Sequence, residues 1–230
     1  PNWAADEAAW VQSVADEIGW PHAIVGYADF TVEDVRPQLD RLAKNELMRG
    51  IRQQLHWHSN PLYRFAPHGG LPADPTVRRN IAHLADYDWC FDLQVFEAQM
   101  NDAAGLADEC TEVTFVLQHA GMLEDTSKEG TRNWEAGMKK LAKRKNVVTK
   151  LSAFGTFIHR TVPVFIKDMV ERTGGLFGAK RCLFGSNFPI EKLWTSYRDL
   201  FDAFQQATAD LSKPQQKAIF HSNAARVYRI

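Results

Sequence analysis

The fold of this chain is decided by the stretch Lys180-Arg-Cys-Leu-Phe-Gly-Ser-Asn-Phe-Pro-Ile190. Its apolar run is followed by a glycine and then by a polar pair that ends at Asn187. Pro189 cannot continue a central strand, because proline has no N–H to donate to a neighbouring strand. A buried strand that delivers polar side chains at its carboxyl end is typical of α/β proteins, in which ligands bind at that end.

Length and composition bound the other possibilities. A chain of 230 residues can bury a large core, and 45% apolar and 24% charged residues are typical of a globular protein. The net charge of −1 gives no reason to expect nucleic acid or an anionic membrane as a partner. The 3 cysteines have no metal-type spacing, so we expect buried thiols in a reducing compartment. With no secretory leader and no apolar span in view, we predict a cytoplasmic protein.

Strand-like and helix-like segments alternate along the chain. The predicted strands are residues 22–30, 50–57, 89–96, 114–120, 147–153 and 181–187. The predicted amphipathic helices are residues 6–17, 33–44, 76–86, 97–109, 132–144, 161–173, 196–210 and 214–226. Thr31 is the predicted cap of the second helix. This alternation indicates a parallel sheet in an α/β fold.

An open sheet and a closed barrel both fit the alternation, and two observations favour a barrel. No glycine-rich phosphate loop follows the first strand, so we expect no nucleotide cofactor. Polar residues also recur where the strands end, as if they face a common centre. A TIM-type (β/α)8 barrel needs eight strands, whereas about six are visible. We therefore predict a single domain over residues 1–230, an incomplete barrel of strands three to eight without the first two. Its open edges predict a homodimer or an irregular open sheet.

Four motifs carry a family resemblance by their order and spacing. They are Phe115-Val-Leu-Gln-His-Ala-Gly121, Val147-Val-Thr-Lys-Leu-Ser152, Leu183-Phe-Gly-Ser-Asn-Phe-Pro189 and Ile219-Phe-His-Ser-Asn-Ala-Ala-Arg-Val-Tyr-Arg229. Together they resemble the amidohydrolase superfamily, in its TIM-barrel amidohydrolase 2 branch. That branch includes sugar lactonases, pyrone dicarboxylate lactonases and decarboxylases.

The resemblance implies catalytic roles for two residues. His119 matches a strand-six histidine that helps to bind metal or substrate, and the alternative is a core histidine satisfied by a backbone carbonyl. Asn187 matches a strand-eight position usually held by an aspartate, which is a metal ligand and general base. The resemblance also implies a divalent metal, zinc or manganese, with His119 as a ligand. The family's strand-one His-x-His motif has no counterpart, since His56 and His58 share its spacing but follow the fourth strand.

The amide of Asn187 puts the usual chemistry of the family in question. A neutral amide has no useful basicity, so it can only exchange hydrogen bonds or offer a weak carbonyl ligand. The alternative is that Asn187 caps the turn before Pro189. If it lies in the site, the general base is another group, such as His119 or Glu97.

Several polar residues at the ends of the predicted strands are candidates for binding the substrate: Arg52, Gln54, His56, Gln94, Lys150 and Ser152. Arg52, Gln54 and His56 share one face by their period of two. Arg52 can anchor a substrate carboxylate through its fork, or pair with a buried acid across the barrel.

Two classes of function follow. The first is a hydrolase that opens a small anionic lactone or a related C–O or C–N bond by activated water, with a decarboxylase as the near alternative. The second is a non-catalytic truncated barrel that binds a small molecule or a partner.

Overall fold

The computed structural model describes residues 2–230 and places one parallel sheet at the centre. The strands are β1 Ile24–Gly26, β2 Met48–Ile51, β3 Cys90–Leu93, β4 Phe115–Leu117, β5 Val147–Leu151 and β6 Cys182–Phe184. They pair in sequence order, and every pair is parallel. The predicted α/β class with six parallel strands is therefore confirmed.

The strands are shorter than predicted, because the chain leaves the extended conformation just before the candidate site residues. His119, Ala153 and Asn187 have positive φ angles of 57°, 59° and 55°. Such left-handed conformations are uncommon for residues with a Cβ atom, and they cluster at functional sites. The polar residues of the strand ends thus sit on irregular backbone beyond the ladder.

Helices separate the strands as the alternation predicts. They are α1 Asn2–Ile18, α2 Arg36–Leu42, α3 Pro75–Ala82, α4 Met100–Glu109, α5 Lys128–Ala142, α6 Pro163–Phe177, α7 Tyr197–Ala207, α8 Lys213–Lys217 and α9 Asn223–Tyr228. The last predicted helix is split into α8 and α9 by a π-helical turn, Ala218–Ser222. None of the helices within residues 2–230 has the length and apolarity that a membrane crossing needs.

The predicted cap at Thr31 is wrong. Its amide and hydroxyl both donate to Asp29 Oδ1, at 2.9 and 2.6 Å, which forms a local turn instead. Helix α2 begins further along the chain, after Val35, with a proline in its first turn and no side-chain cap. Proline suits that position because a first-turn N–H has no partner inside the helix.

The two faces of the sheet bury different residues. Apolar side chains such as Phe91 and Phe115 pack into the main core, which includes Trp134 of α5. On the other face, here called the inner face, Cys90, Val116, Val148 and Leu183 form a small apolar floor together with Val227 of α9. All 3 cysteines are free and buried, as predicted.

Candidate active site

A charged layer lies on the inner face, two residues beyond the apolar floor along β3 and β5. It consists of Arg52, Asp92 and Lys150. Asp92 is fully buried, and its Oδ2 atom accepts hydrogen bonds from Arg52 Nη2 at 2.7 Å and Lys150 Nζ at 3.1 Å. Burial raises the pKa of Asp92, but the two cations outweigh it and hold that pKa below its ordinary value. Two cations on one carboxylate leave the layer with a net positive charge.

Helix α9 completes this layer from below. The hydroxyl of Tyr228 donates to Asp92 Oδ1 at 3.2 Å, and Lys150 Nζ lies 5.3 Å from the centre of the Tyr228 ring. Burial and the charge of Asp92 raise the pKa of Tyr228 well above its ordinary value. The phenol therefore stays protonated and remains a donor.

Arg52 belongs both to the charged layer and to a cavity above it. Its Nη2 atom also donates to Gln118 Oε1 at 2.6 Å. Its Nη1 atom has no hydrogen-bond acceptor among residues 2–230, and about a third of the side chain (34%) is exposed. The buried ion pair that the sequence left as an alternative is present, and one nitrogen of the fork remains available to a ligand.

The cavity has a volume of about 470 Å³ and opens at the carboxyl ends of the strands. Six of the residues singled out from the sequence line it: Arg52, Gln54, His56, Gln94, His119 and Asn187. Lys150 and Ser152 do not line it, since Lys150 turns to Asp92 and Ser152 bonds to His119. We call the group Arg52, Gln94, His119 and Asn187 the strand-end wall.

His119 is held in the strand-end wall by a tight left-handed turn. Ala120 and Met122 share its positive φ, and Trp134 Nε1 fixes the turn by donating to Ala120 O at 2.7 Å. A Cβ atom on Gly121, whose φ is 73°, would lie 2.3 Å from Met100 Cε and 2.9 Å from Met138 Sδ, so a side chain there would be strained and would displace both methionines.

The surroundings of His119 keep its imidazole neutral. Its Nδ1 atom lies 2.9 Å from Ser152 Oγ, so its partner is a hydroxyl and not a backbone carbonyl. Burial, with the charges of Arg52 and Lys150, lowers the pKa of His119 to about 3. A neutral imidazole with Nδ1 engaged has Nε2 left for a ligand or a water.

Asn187 rests on a buried carboxylate that the sequence did not reveal. Its Nδ2 atom donates to Glu191 Oε1 at 3.4 Å, and Thr156 Oγ1 donates to the same oxygen at 3.0 Å. Glu191 is fully buried, and burial raises its pKa despite these two hydrogen bonds. With its NH2 group directed to Glu191, Asn187 has its carbonyl oxygen left as an acceptor.

A second part of the cavity lining is mostly apolar, and we call it the loop wall. It consists of Leu62, Tyr63, Phe65, Phe96, Phe157 and Ile190. The rings pack on one another, with centroids 5.2 Å apart for Tyr63 and Phe157 and 5.8 Å for Phe96 and Phe157. Such edge-to-face and tilted pairs fix the rings beyond the effect of burial alone.

His56 is packed against this wall as an apolar ring. It lies 4.8 Å from Phe65 and 5.7 Å from Phe96, between ring centroids. Burial lowers its pKa to about 4. His58 does not pair with it, because its two ring nitrogens meet the Asn60 amide at 3.0 Å and Glu124 Oε1 at 3.2 Å.

Comparison with known proteins defines the class. The sequence profile described as amidohydrolase matches residues 3–230, and the chain belongs to this family. An uncharacterized protein of Sinorhizobium fredii is 36% identical over all of this chain and 77% of its own length. An L-fucono-1,5-lactonase of Burkholderia multivorans is 28% identical over 98% of this chain and 77% of its own length. Its family thus includes lactone hydrolases.

A solved amidohydrolase structure from Burkholderia multivorans with bound zinc shares the fold. It has a TM-score of 0.84 and 26% identity, covering 98% of this chain and 79% of the other. The six-stranded sheet is therefore similar to that of TIM-barrel amidohydrolases.

The residues described here do not fit a zinc ion by themselves. Within residues 2–230, no group of three or more His, Cys, Asp or Glu side chains is placed to hold a metal. His119 Nδ1 is engaged by the Ser152 hydroxyl, and the charges of Arg52 and Lys150 near His119 outweigh that of Asp92, which disfavours a divalent cation.

Proposed function

We propose that this protein hydrolyses a small anionic lactone by attack of water. The observation that carries the proposal is the neutral imidazole of His119 beside the free nitrogen of Arg52, in one cavity at the strand ends. Relatives named as lactonases support the reaction class.

The proposed chemistry uses the strand-end wall. Water oxygen adds to the lactone carbonyl carbon while His119 Nε2 takes a proton from it. The negative charge of the reacting substrate offsets the charges of Arg52 and Lys150, which lower the pKa of His119 in the free protein. The negative charge that develops on the carbonyl oxygen is stabilised by Arg52, whose charge is only partly balanced by Asp92. The ring C–O bond then breaks, His119 returns the proton to the leaving alkoxide, and the product is a hydroxy acid. Asn187 accepts a hydrogen bond from the water or from a substrate hydroxyl.

A matched pair of lactones tests this proposal. γ-Butyrolactone-γ-carboxylate and γ-valerolactone differ only by a carboxylate in place of a methyl group, and hydrolysis of either releases acid that a pH-stat records. We expect kcat/KM to be about tenfold higher or more for the carboxylate, because the net positive charge of the layer formed by Arg52, Asp92 and Lys150 attracts it. Arg52→Lys is expected to reduce that preference, since a single ammonium group cannot hold Asp92 and also present a free donor to the cavity as the guanidinium does.

The result that would overturn the proposal is the absence of acid release from either lactone by folded protein. Carbon dioxide release from an aromatic carboxylate, with no lactone turnover, would instead favour the decarboxylase alternative.

A further inference from the structure

The loop wall has no role in the proposed hydrolysis, and its composition is unusual for a cavity mouth. Leu62, Phe65 and Ile190 are 82%, 70% and 52% exposed, although all three line the cavity. Scattered exposed apolar residues need no explanation, but a contiguous group at the mouth of a pocket marks a binding surface.

These exposed residues continue into a buried aromatic group. Phe65 contacts the ring of His56, and Phe96, fully inside the cavity wall, joins His56 to Phe157. Burial lowers the pKa of His56 to about 4, so the ring is neutral and adds no charge to this side. The apolar surface therefore runs without a charged group from the cavity mouth to its depth.

The two walls differ in what they can bind. The strand-end wall offers the guanidinium of Arg52, the amides of Gln94 and Asn187 and the imidazole of His119. The loop wall offers the Tyr63 hydroxyl and otherwise only hydrocarbon and ring faces. A lactone with hydroxyl groups on every side would find no protein partner on the loop wall except the Tyr63 hydroxyl, whereas an apolar group there would be removed from water.

We infer that the substrate of this site is amphipathic: a lactone that carries an aryl or bulky alkyl substituent, which packs under Phe65 on the loop wall. Phe65 is the residue that determines this specificity. The inference rests on the proposed function for the lactone ring and on the loop wall for the substituent. We therefore expect the protein to distinguish lactones by the size of an apolar substituent and not by the number of their hydroxyl groups.

The test compares γ-phenyl-γ-butyrolactone with γ-valerolactone, which share one ring and differ in the substituent. Binding is measured by calorimetry in the His119→Gln background, in which hydrolysis is slowest, so that the heat of turnover does not obscure the heat of binding. We expect the phenyl compound to bind at least tenfold more tightly, a step of the size that one apolar group provides in a pocket. Phe65→Ala should abolish most of that difference and leave γ-valerolactone within about twofold.

Two further variants show whether a change in binding comes from the loss of the apolar side chain at position 65. Phe65→Leu retains an apolar side chain and should give an intermediate preference. Val164→Ala alters a side chain of α6 that is 80% exposed and does not line the cavity, and it should bind both probes as the unaltered protein does. Equal binding of the two lactones, or an unchanged preference in Phe65→Ala, would overturn the inference. Failure of the proposed function is a different result: the phenyl compound binds, but no lactone is hydrolysed.

Discussion

The two walls of the cavity are held in place by different forces. The strand-end wall stands on the charged layer, in which Arg52 and Lys150 share the buried carboxylate of Asp92. The loop wall is held by ring packing among Tyr63, Phe96 and Phe157. Ion pairs and hydrogen bonds fix atoms in direction as well as distance, whereas ring packing tolerates small changes of shape. This difference suits the strand-end wall to chemistry and the loop wall to recognition.

The largest expected effect comes from the substitution that removes the buried carboxylate beneath the strand-end wall. Asp92→Asn leaves two cations facing a neutral amide in a buried site, and we expect a loss of about 3–5 kcal/mol in the free energy of unfolding. Urea denaturation measures it. The matched control is Asp86→Asn, whose side chain is 70% exposed beside His83, and which should change stability by less than about 1 kcal/mol. Equal effects of the two variants would show that the charged layer is not a support.

A second prediction concerns Asn187, the position at which the family resemblance implies an aspartate. Asn187→Asp places a carboxylate beside Glu191, because Asn187 Nδ2 is 3.4 Å from Glu191 Oε1. Repulsion between like charges should lower kcat/KM about tenfold at neutral pH, with partial recovery in acid when the pair takes up a proton. The double variant Asn187→Asp with Glu191→Gln should recover activity at neutral pH.

The control for this prediction is Asn133→Asp, on the exposed side of α5. It should leave kcat/KM unchanged. A gain of activity in Asn187→Asp alone would contradict the account, since it would mean that the amide limits the chemistry and that Glu191 does not oppose a second charge.

The smallest expected effect is on the pH dependence of stability, and it tests whether His56 is buried among the apolar rings of the loop wall. His56 has a folded-state pKa of about 4, below its ordinary value, so the unfolded chain binds more protons at moderately acid pH. Its contribution to stability is present above about pH 6.5 and is lost as pH falls towards 4. At pH 5 we expect a loss on the order of 1–2 kcal/mol, measured by urea denaturation.

Replacement of the titrating group isolates this contribution. His56→Phe should lose that part of the pH dependence between pH 7 and 5, whereas His221→Phe, at an exposed position, should retain it. The same slope in both variants would show that the imidazole of His56 is not shielded from water.

The sequence predicted the framework well, because a buried parallel sheet leaves strong local signals. Each strand is an apolar run, and each candidate at a strand end follows one. The period of two placed Arg52, Gln54 and His56 on one face, and all three line the cavity although β2 ends before them. Such regularities are local, so one sequence suffices to find them.

The supports of the site were harder to predict because they depend on distant partners. Asp92 lies in the apolar run of β3, and an acid there signals a buried ion pair, but its partners are 40 and 58 residues away. Glu191 lies two residues after Pro189 and is expected in a surface loop, whereas in the fold it is completely buried. The loop wall gave no periodic signal, since its rings come from separate loops that only the fold brings together.

The turnover number of His119→Gln tests the division between the walls most directly. With γ-butyrolactone-γ-carboxylate as substrate, the account predicts that kcat falls about 10²- to 10⁴-fold while KM changes little, because the imidazole handles the proton and does not hold the ground state. His221→Gln, at an exposed position, is the control and should match the unaltered protein. A kcat within twofold of the unaltered protein in His119→Gln would contradict the claim that the strand-end wall performs the chemistry.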